Sequence, residues 1–72
     1  SDLSVRELAL GGHDVVAHLD RKPGPWLGLL IRSLLEEVAL GHIPNEREAL
    51  LAEVVRIEAS AEAETGKEAN LE

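Results

Sequence analysis

The sequence predicts an all-α protein: a small helical domain of two long helices, about 25–40 and about 45–60, with one or two short helices before them. Three observations carry this. Apolar residues from Trp26 to Leu40 recur at helical spacing, leaving one narrow polar stripe of Arg32, Ser33, Glu36 and Glu37. Residues that open and close helices punctuate the chain at matching intervals. No segment alternates with the period of two that a half-buried strand requires.

Taken in order, Ser4 and Glu7 fit a capping box, which predicts a short helix over about 4–9, stopped by Gly11-Gly12. A second short helix is expected over about 13–19, with Val15, Val16 and Leu19 on one side. Asp14 falls in its first turn, at the positive end of the helix dipole. Pro23-Gly24-Pro25 then breaks the chain, since each proline disfavours helix in the residue before it. Pro25 suits the first position of the next helix, where a missing N–H costs nothing. That helix is apolar on most of its circumference, the mark of a central helix covered on several sides. Gly41 closes it as a left-handed cap. Asn45 reads as the N-cap of the last helix, with Glu48 completing a box. In that helix Leu50, Leu51, Val54, Val55 and Ile57 form the buried stripe, and Glu46, Arg47, Glu53 and Arg56 face water.

Residues 1–58 thus form the helical segment. Residues 59–72 are an acidic, Ala/Glu-rich extension, expected to be frayed or disordered because it has nothing to bury. Leu71-Glu72 matches what a common cloning site leaves before a purification tag. Seventy-two residues support only a small core, worth roughly 3–5 kcal/mol. Three short helices leave some leucine surface of residues 26–40 uncovered, with Leu30 and Leu34 as the positions to test. A neighbouring domain or a second copy of the chain is expected to cover it.

Composition narrows the function classes. The chain has no cysteine, which excludes disulfides, thiolate metal sites and cysteine nucleophiles. No apolar run reaches the roughly 18 residues of a membrane span, so no membrane partner is expected. The net charge of −7 lies entirely in residues 34–72, and residues 1–33 balance to zero. Any contact with a polyanion must therefore be local to the first half. His13, His18 and His42 lack metal-ligand spacing, and the few hydroxyls have no partner base. No metal site or catalytic residue is assigned.

One segment is chemically distinctive: Arg21-Lys22-Pro23-Gly24-Pro25-Trp26-Leu27-Gly28. Two cations precede a glycine-lined helix N-terminus. The amides of Gly24, Trp26, Leu27 and Gly28 are placed there to face an anion, phosphate being the usual one. The competing reading is a tight turn between packed helices, with Arg21 and Lys22 merely solvated. Trp26 is likewise either a core anchor or a stacking platform.

Four runs carry a resemblance. They are Leu10-Gly11-Gly12-His13-Asp14-Val15, then Lys22 to Gly28, then Leu34 to Gly41, then Pro44 to Leu51. Over about residues 8–55 they resemble the C-terminal body or tail of bacterial CCA-adding tRNA nucleotidyltransferases, and the related poly(A) polymerases are similar. Val15 stands where that family usually has Leu. The Trp often found in its last helix is absent, Ala52, Glu53 and Val54 following Leu51. The extension after Glu58 has no counterpart.

The resemblance implies a cytoplasmic, non-catalytic segment that helps hold tRNA through backbone phosphates. The phosphate-binding residues would be Arg21, Lys22, Gly24, Trp26, Leu27 and Gly28. It implies no cofactor in this segment, the Mg2+ and the CTP or ATP belonging to a catalytic head elsewhere. Partners would be tRNA, a neighbouring domain and, for the isolated segment, a second copy. The alternative is a protein-interaction or dimerisation module using the apolar helix 26–40.

Overall fold

A computed structural model describes residues 4–69, with side chains through Gly66. A 3-10 turn, Val5–Glu7, precedes three α-helices: α1 (Gly12–Leu19), α2 (Pro25–Ala39) and α3 (Arg47–Ala69). No strand occurs among the described residues, and the all-α reading holds. α2 is the hub on which the 3-10 turn, α1 and α3 pack. The core draws on every element: Leu8 and Leu10, Val15 of α1, Leu30, Ile31 and Leu34 of α2, and Leu50 and Val54 of α3. Within α2 and α3 the buried pairs lie one helical turn apart, so each helix turns one stripe inward.

Both ends of α2 are local chemistry. Pro25 is its first residue and Gly24 its cap. At the other end Gly41 takes φ 77°, in the left-handed region. Its amide donates to Val38 O at 3.0 Å and the His42 amide donates to Glu37 O at 2.9 Å. These two bonds satisfy carbonyls that the helix end would otherwise orphan.

The N-terminal segment departs from expectation. The Ser4 hydroxyl caps no amide; it lies 3.4 Å from a Glu7 carboxylate oxygen. The Glu7 amide, the target of the predicted cap, already donates to the Ser4 carbonyl at 2.9 Å. The helix expected over 4–9 is therefore a single 3-10 turn, and extended backbone at Leu8 delivers Leu8 and Leu10 to the core. Gly11-Gly12 opens α1 instead of closing a helix before it. Lacking a capping side chain at Gly11, α1 begins with the Gly11 amide donating to the Asp14 carboxylate at 3.0 Å.

Asn45 is not the cap of α3. The first amide bond of that helix runs from Leu50 to the Glu46 carbonyl. The Asn45 side chain reaches across the molecule instead. Its Oδ1 accepts the Ala9 amide at 2.7 Å and its Nδ2 donates to the Glu7 carbonyl at 2.7 Å. Both bonds clamp the segment that carries Leu8 and Leu10 into the core.

Four further corrections concern the long helices. Val55 is exposed, because it sits five residues past Leu50, off the stripe of Leu50, Val54 and Ile57. Glu53 does not face water but is shielded, gripped by Arg56 at 2.7 and 2.8 Å. Leu30 and Leu34 are buried, and the uncovered leucines of this region are Leu29 and Leu40, 68% and 61% exposed. α3 also does not end near residue 60 but continues to Ala69, with every described side chain from Ala59 to Gly66 exposed. Leu71 and Glu72 lie outside the described residues.

Candidate anion-binding surface at the start of helix α2

The six residues singled out in the sequence all fall in the α1–α2 turn or the first turn of α2. Asp20 closes α1 in the left-handed conformation at φ 51°, and the Arg21 amide donates back to Val16 O at 3.3 Å. The turn then folds around Trp26. Its indole Nε1–H donates to the Lys22 carbonyl at 2.8 Å, which fixes the ring over the loop. Gly24 makes room for that ring: a Cβ there would lie 3.2 Å from the indole Cδ1. Trp26 is partly buried and packs against the core.

The two cations have different surroundings. The Arg21 guanidinium stacks on the Trp26 ring, 4.2 Å from its centroid. Its Nη1 also lies 3.2 and 3.3 Å from the two carboxylate oxygens of Glu58. Arg21 is thus engaged, where the sequence places it beside an anion or in open solvent. Lys22 is exposed and has no ion-pair partner among the described residues.

The amides divide as well. Leu27 donates its N–H to the Gly24 carbonyl at 3.0 Å, and its side chain packs on the core. Gly28 lies one position further in, past the turn whose amides a helix leaves unpaired. Gly24 and Trp26 are then the two residues whose amides can turn to an anion. Gly28 contributes open space instead, with nothing within 4 Å of where a Cβ would stand.

Sequence reasoning overlooked Arg32 in this setting. Gly24, Gly28 and Arg32 follow one another at four-residue spacing along α2. They line a groove of about 460 Å³ together with Val5, Pro23, Ile31 and Leu35. Arg32, like Lys22, has no ion-pair partner among the described residues. The signal was present as the i, i+4 repeat that begins at the glycine cap.

Elsewhere the charged groups serve the fold. Asp14 binds Arg47 at 3.1 Å, tying α1 to the start of α3. The Gly11 amide first, and then the Arg47 guanidinium, hold the Asp14 carboxyl below its usual range. The hydrogen bond from Arg56 does the same for Glu53. His42 lies 3.3 Å from Glu37 at the end of α2, while His13 and His18 are exposed. No three acidic or histidine side chains converge as a metal site among the described residues.

Residues 3–54 match the family described as tRNA nucleotidyltransferase domain 2, putative. The chain belongs to that family. The matched residues hold the whole buried core and every residue of the α1–α2 turn. Among tRNA nucleotidyltransferases, the chain is 44% identical over 45 residues to the CC-adding tRNA nucleotidyltransferase of Halalkalibacterium halodurans, covering 62% of this chain and 12% of that protein. It is 44% identical over 46 residues to the CCA-adding enzyme of Enterococcus faecalis, 64% of this chain and 11% of that protein. Against the CCA-adding enzyme of Bacillus cereus the identity is 32% over 47 residues, 65% and 12% of the two chains. The chain therefore spans only a small part of the length of these curated relatives. No solved structure matches it.

Proposed function

We propose that this chain is a non-catalytic helical module from the C-terminal part of a CCA-adding tRNA nucleotidyltransferase, and that it helps hold tRNA by its backbone phosphates. The names of the relatives supply the substrate class. The observation that carries the reading is the open end of α2. There Lys22 and Arg32 are unpaired among the described residues, and Gly28, with nothing within 4 Å of where a Cβ would stand, lets a backbone phosphate approach closely. Phosphate contacts of this kind position RNA without reading its sequence. Nucleotide transfer, with its Mg2+ and its CTP or ATP, is assigned to a separate catalytic head, and the setting is cytoplasmic.

The test is a salt titration of tRNA binding to the 72-residue chain. Two or three phosphate contacts give weak binding and a log–log salt slope of about −2 to −3. Lys22→Glu and Arg32→Glu should each weaken binding and flatten that slope by about 1. Binding insensitive to both changes would refute the assignment.

A second reading has its own observation, the exposed Leu29 and Leu40 on α2. Leu40 caps the helix that carries Leu29, with the exposed Ser33 and Glu36 between them on that side, and a neighbouring domain or a second copy would cover the two leucines. Sedimentation of the chain at about 100 µM, compared with Leu29→Glu, decides this. A parent heavier than one chain and a monomeric variant support it, and a monomeric parent removes the second-copy form.

A further inference from the structure

Arg21 and Trp26 together make a composite surface: a fixed indole face with a guanidinium laid on it. The ring is held independently of Arg21, by the Lys22 carbonyl and by the space at Gly24. Arg21 in turn uses only one of its nitrogens toward Glu58, sharing Nη1 between both carboxylate oxygens. A two-nitrogen fork onto a carboxylate is the strong arrangement, and it is not made here. The pair is also wet, with side chains 46% and 24% exposed, and exposed pairs of this kind contribute little. Glu58 lies beyond residue 54, where the family match ends, on the stretch of α3 that leaves the core behind.

We propose that Glu58 is a carboxylate stand-in for a nucleic-acid phosphate. It occupies Arg21 in the free protein and is displaced when an RNA phosphate takes its place on the Arg21–Trp26 surface. The inference rests on the RNA-binding reading above and adds its regulation: α3 carries a weak internal competitor for the same cation. Phosphate offers the guanidinium the forked contact that Glu58 does not make. Because the carboxylate leaves toward solvent, release demands no rearrangement of the core.

The experiment compares Glu58→Gln with Glu64→Gln, titrating a tRNA transcript at fixed salt and following Trp26 fluorescence in parallel with inorganic pyrophosphate. Glu64 sits on the same helix beside Arg56 and Ile57, so its variant makes an equal change in net charge away from Arg21. Removing an exposed competitor should tighten RNA binding about two- to fivefold. It should also lower, by a similar factor, the pyrophosphate concentration that perturbs Trp26. Glu64→Gln should move neither by more than a small shared charge effect. Equal effects of the two variants would overturn the proposal, reducing it to bulk charge. Weaker binding by Glu58→Gln would overturn it too, by showing that Glu58 organises Arg21. Where tRNA binds and responds to Lys22→Glu but Glu58→Gln changes nothing, the competitor falls and the RNA-binding reading stands. If no variant or parent binds tRNA, that reading falls and the competitor with it.

Discussion

Two halves of one helix are held for different reasons. From Arg47 to Ile57, α3 turns Leu50 and Val54 into the core, with Leu51 and Ile57 packed beside them. From Ala59 to Gly66 every described side chain faces solvent, and the Thr65 hydroxyl donates to the Ala61 carbonyl of the same helix at 3.0 Å. Backbone geometry is continuous across the boundary, but the source of stability is not. The first half rests on tertiary burial, the second on the helix propensity of Ala and Glu alone. Regular helical geometry is therefore no measure of how firmly a segment is held.

The largest contrast comes from truncating a core side chain. Leu50 is fully buried, so Leu50→Ala should cost about 2–5 kcal/mol. That is comparable to the whole stability of a core this small, so the variant should be largely unfolded by circular dichroism at room temperature. Ala63→Gly, a change worth about 1 kcal/mol in a helix interior, should leave the melting midpoint of the chain nearly unchanged when placed in the second half. Equal losses from the two changes would erase the distinction.

The junction between the halves can be loosened through the loop it packs against. A β-branched residue at Gly24 would press on the Trp26 indole, 3.2 Å from the new Cβ. Gly24→Val should therefore cost about 1–3 kcal/mol and shift the Trp26 emission. A variant melting with the parent would show that the ring moves aside freely.

Asn45 tests the other end of the packed half. Asn45→Ala removes both bonds to the Glu7–Ala9 segment and should cost about 1–2 kcal/mol. Asn45→Asp keeps the acceptor for Ala9 and loses the donor to Glu7, so it should fall between. A helix-cap role would instead leave Asn45→Asp as stable as the parent, since Asp caps as well as Asn.

These positions also show what could be read from the chain. Pro25 and Gly41 were legible because their partners lie within a turn of helix, and proline geometry or a left-handed glycine needs no distant neighbour. Asn45 was misread for the converse reason. Its residue type suits a cap, but its partners sit 36 and 38 positions away, and tertiary demand outranked local preference. The site shows the same division. The glycines and cations at 21–28 stand out in sequence, whereas Glu58 beside Arg21, 37 residues on, appears only once α3 has packed on α2. Val55 was a simpler error: a five-residue step counted within the buried stripe.

Acid separates the halves more gently. Asp14 and Glu53 both have carboxyl groups held below their usual range, by the Gly11 amide with Arg47 and by Arg56 respectively. A depressed folded-state value means the carboxylate form is favoured by folding. That stability is fully present above the unfolded-state value, 3.8 for Asp14 and 4.5 for Glu53, and is lost as pH falls through the folded-state values. Thermal midpoints should therefore decline between about pH 5 and pH 2, and decline less in Asp14→Asn. A parent curve flat over that range would mean the Asp14–Arg47 tie contributes nothing.

The smallest effect on global stability, and the sharpest local one, is expected in the second half itself. Its side chains offer no buried surface, and an isolated helix shorter than about 12–15 residues is marginal in water. Glu58 and Glu62 stand four residues apart, as do Glu64 and Glu68, and like charges at that spacing disfavour helix. Only continuity with the packed half supplies a nucleus, so the helix should fray from Ala69 backward toward Glu58. Amide exchange should accordingly find opening free energies near zero from Ala61 onward and rising protection from Ile57 back to Leu50. A chain ending at Ala61 should melt within about 0.5 kcal/mol of the full chain. Adding salt to about 1 M should raise protection slightly in the second half by screening the glutamates. Strong protection at Glu62 to Gly66, in a chain shown to be monomeric, would mean that this half finds a packing partner within the molecule.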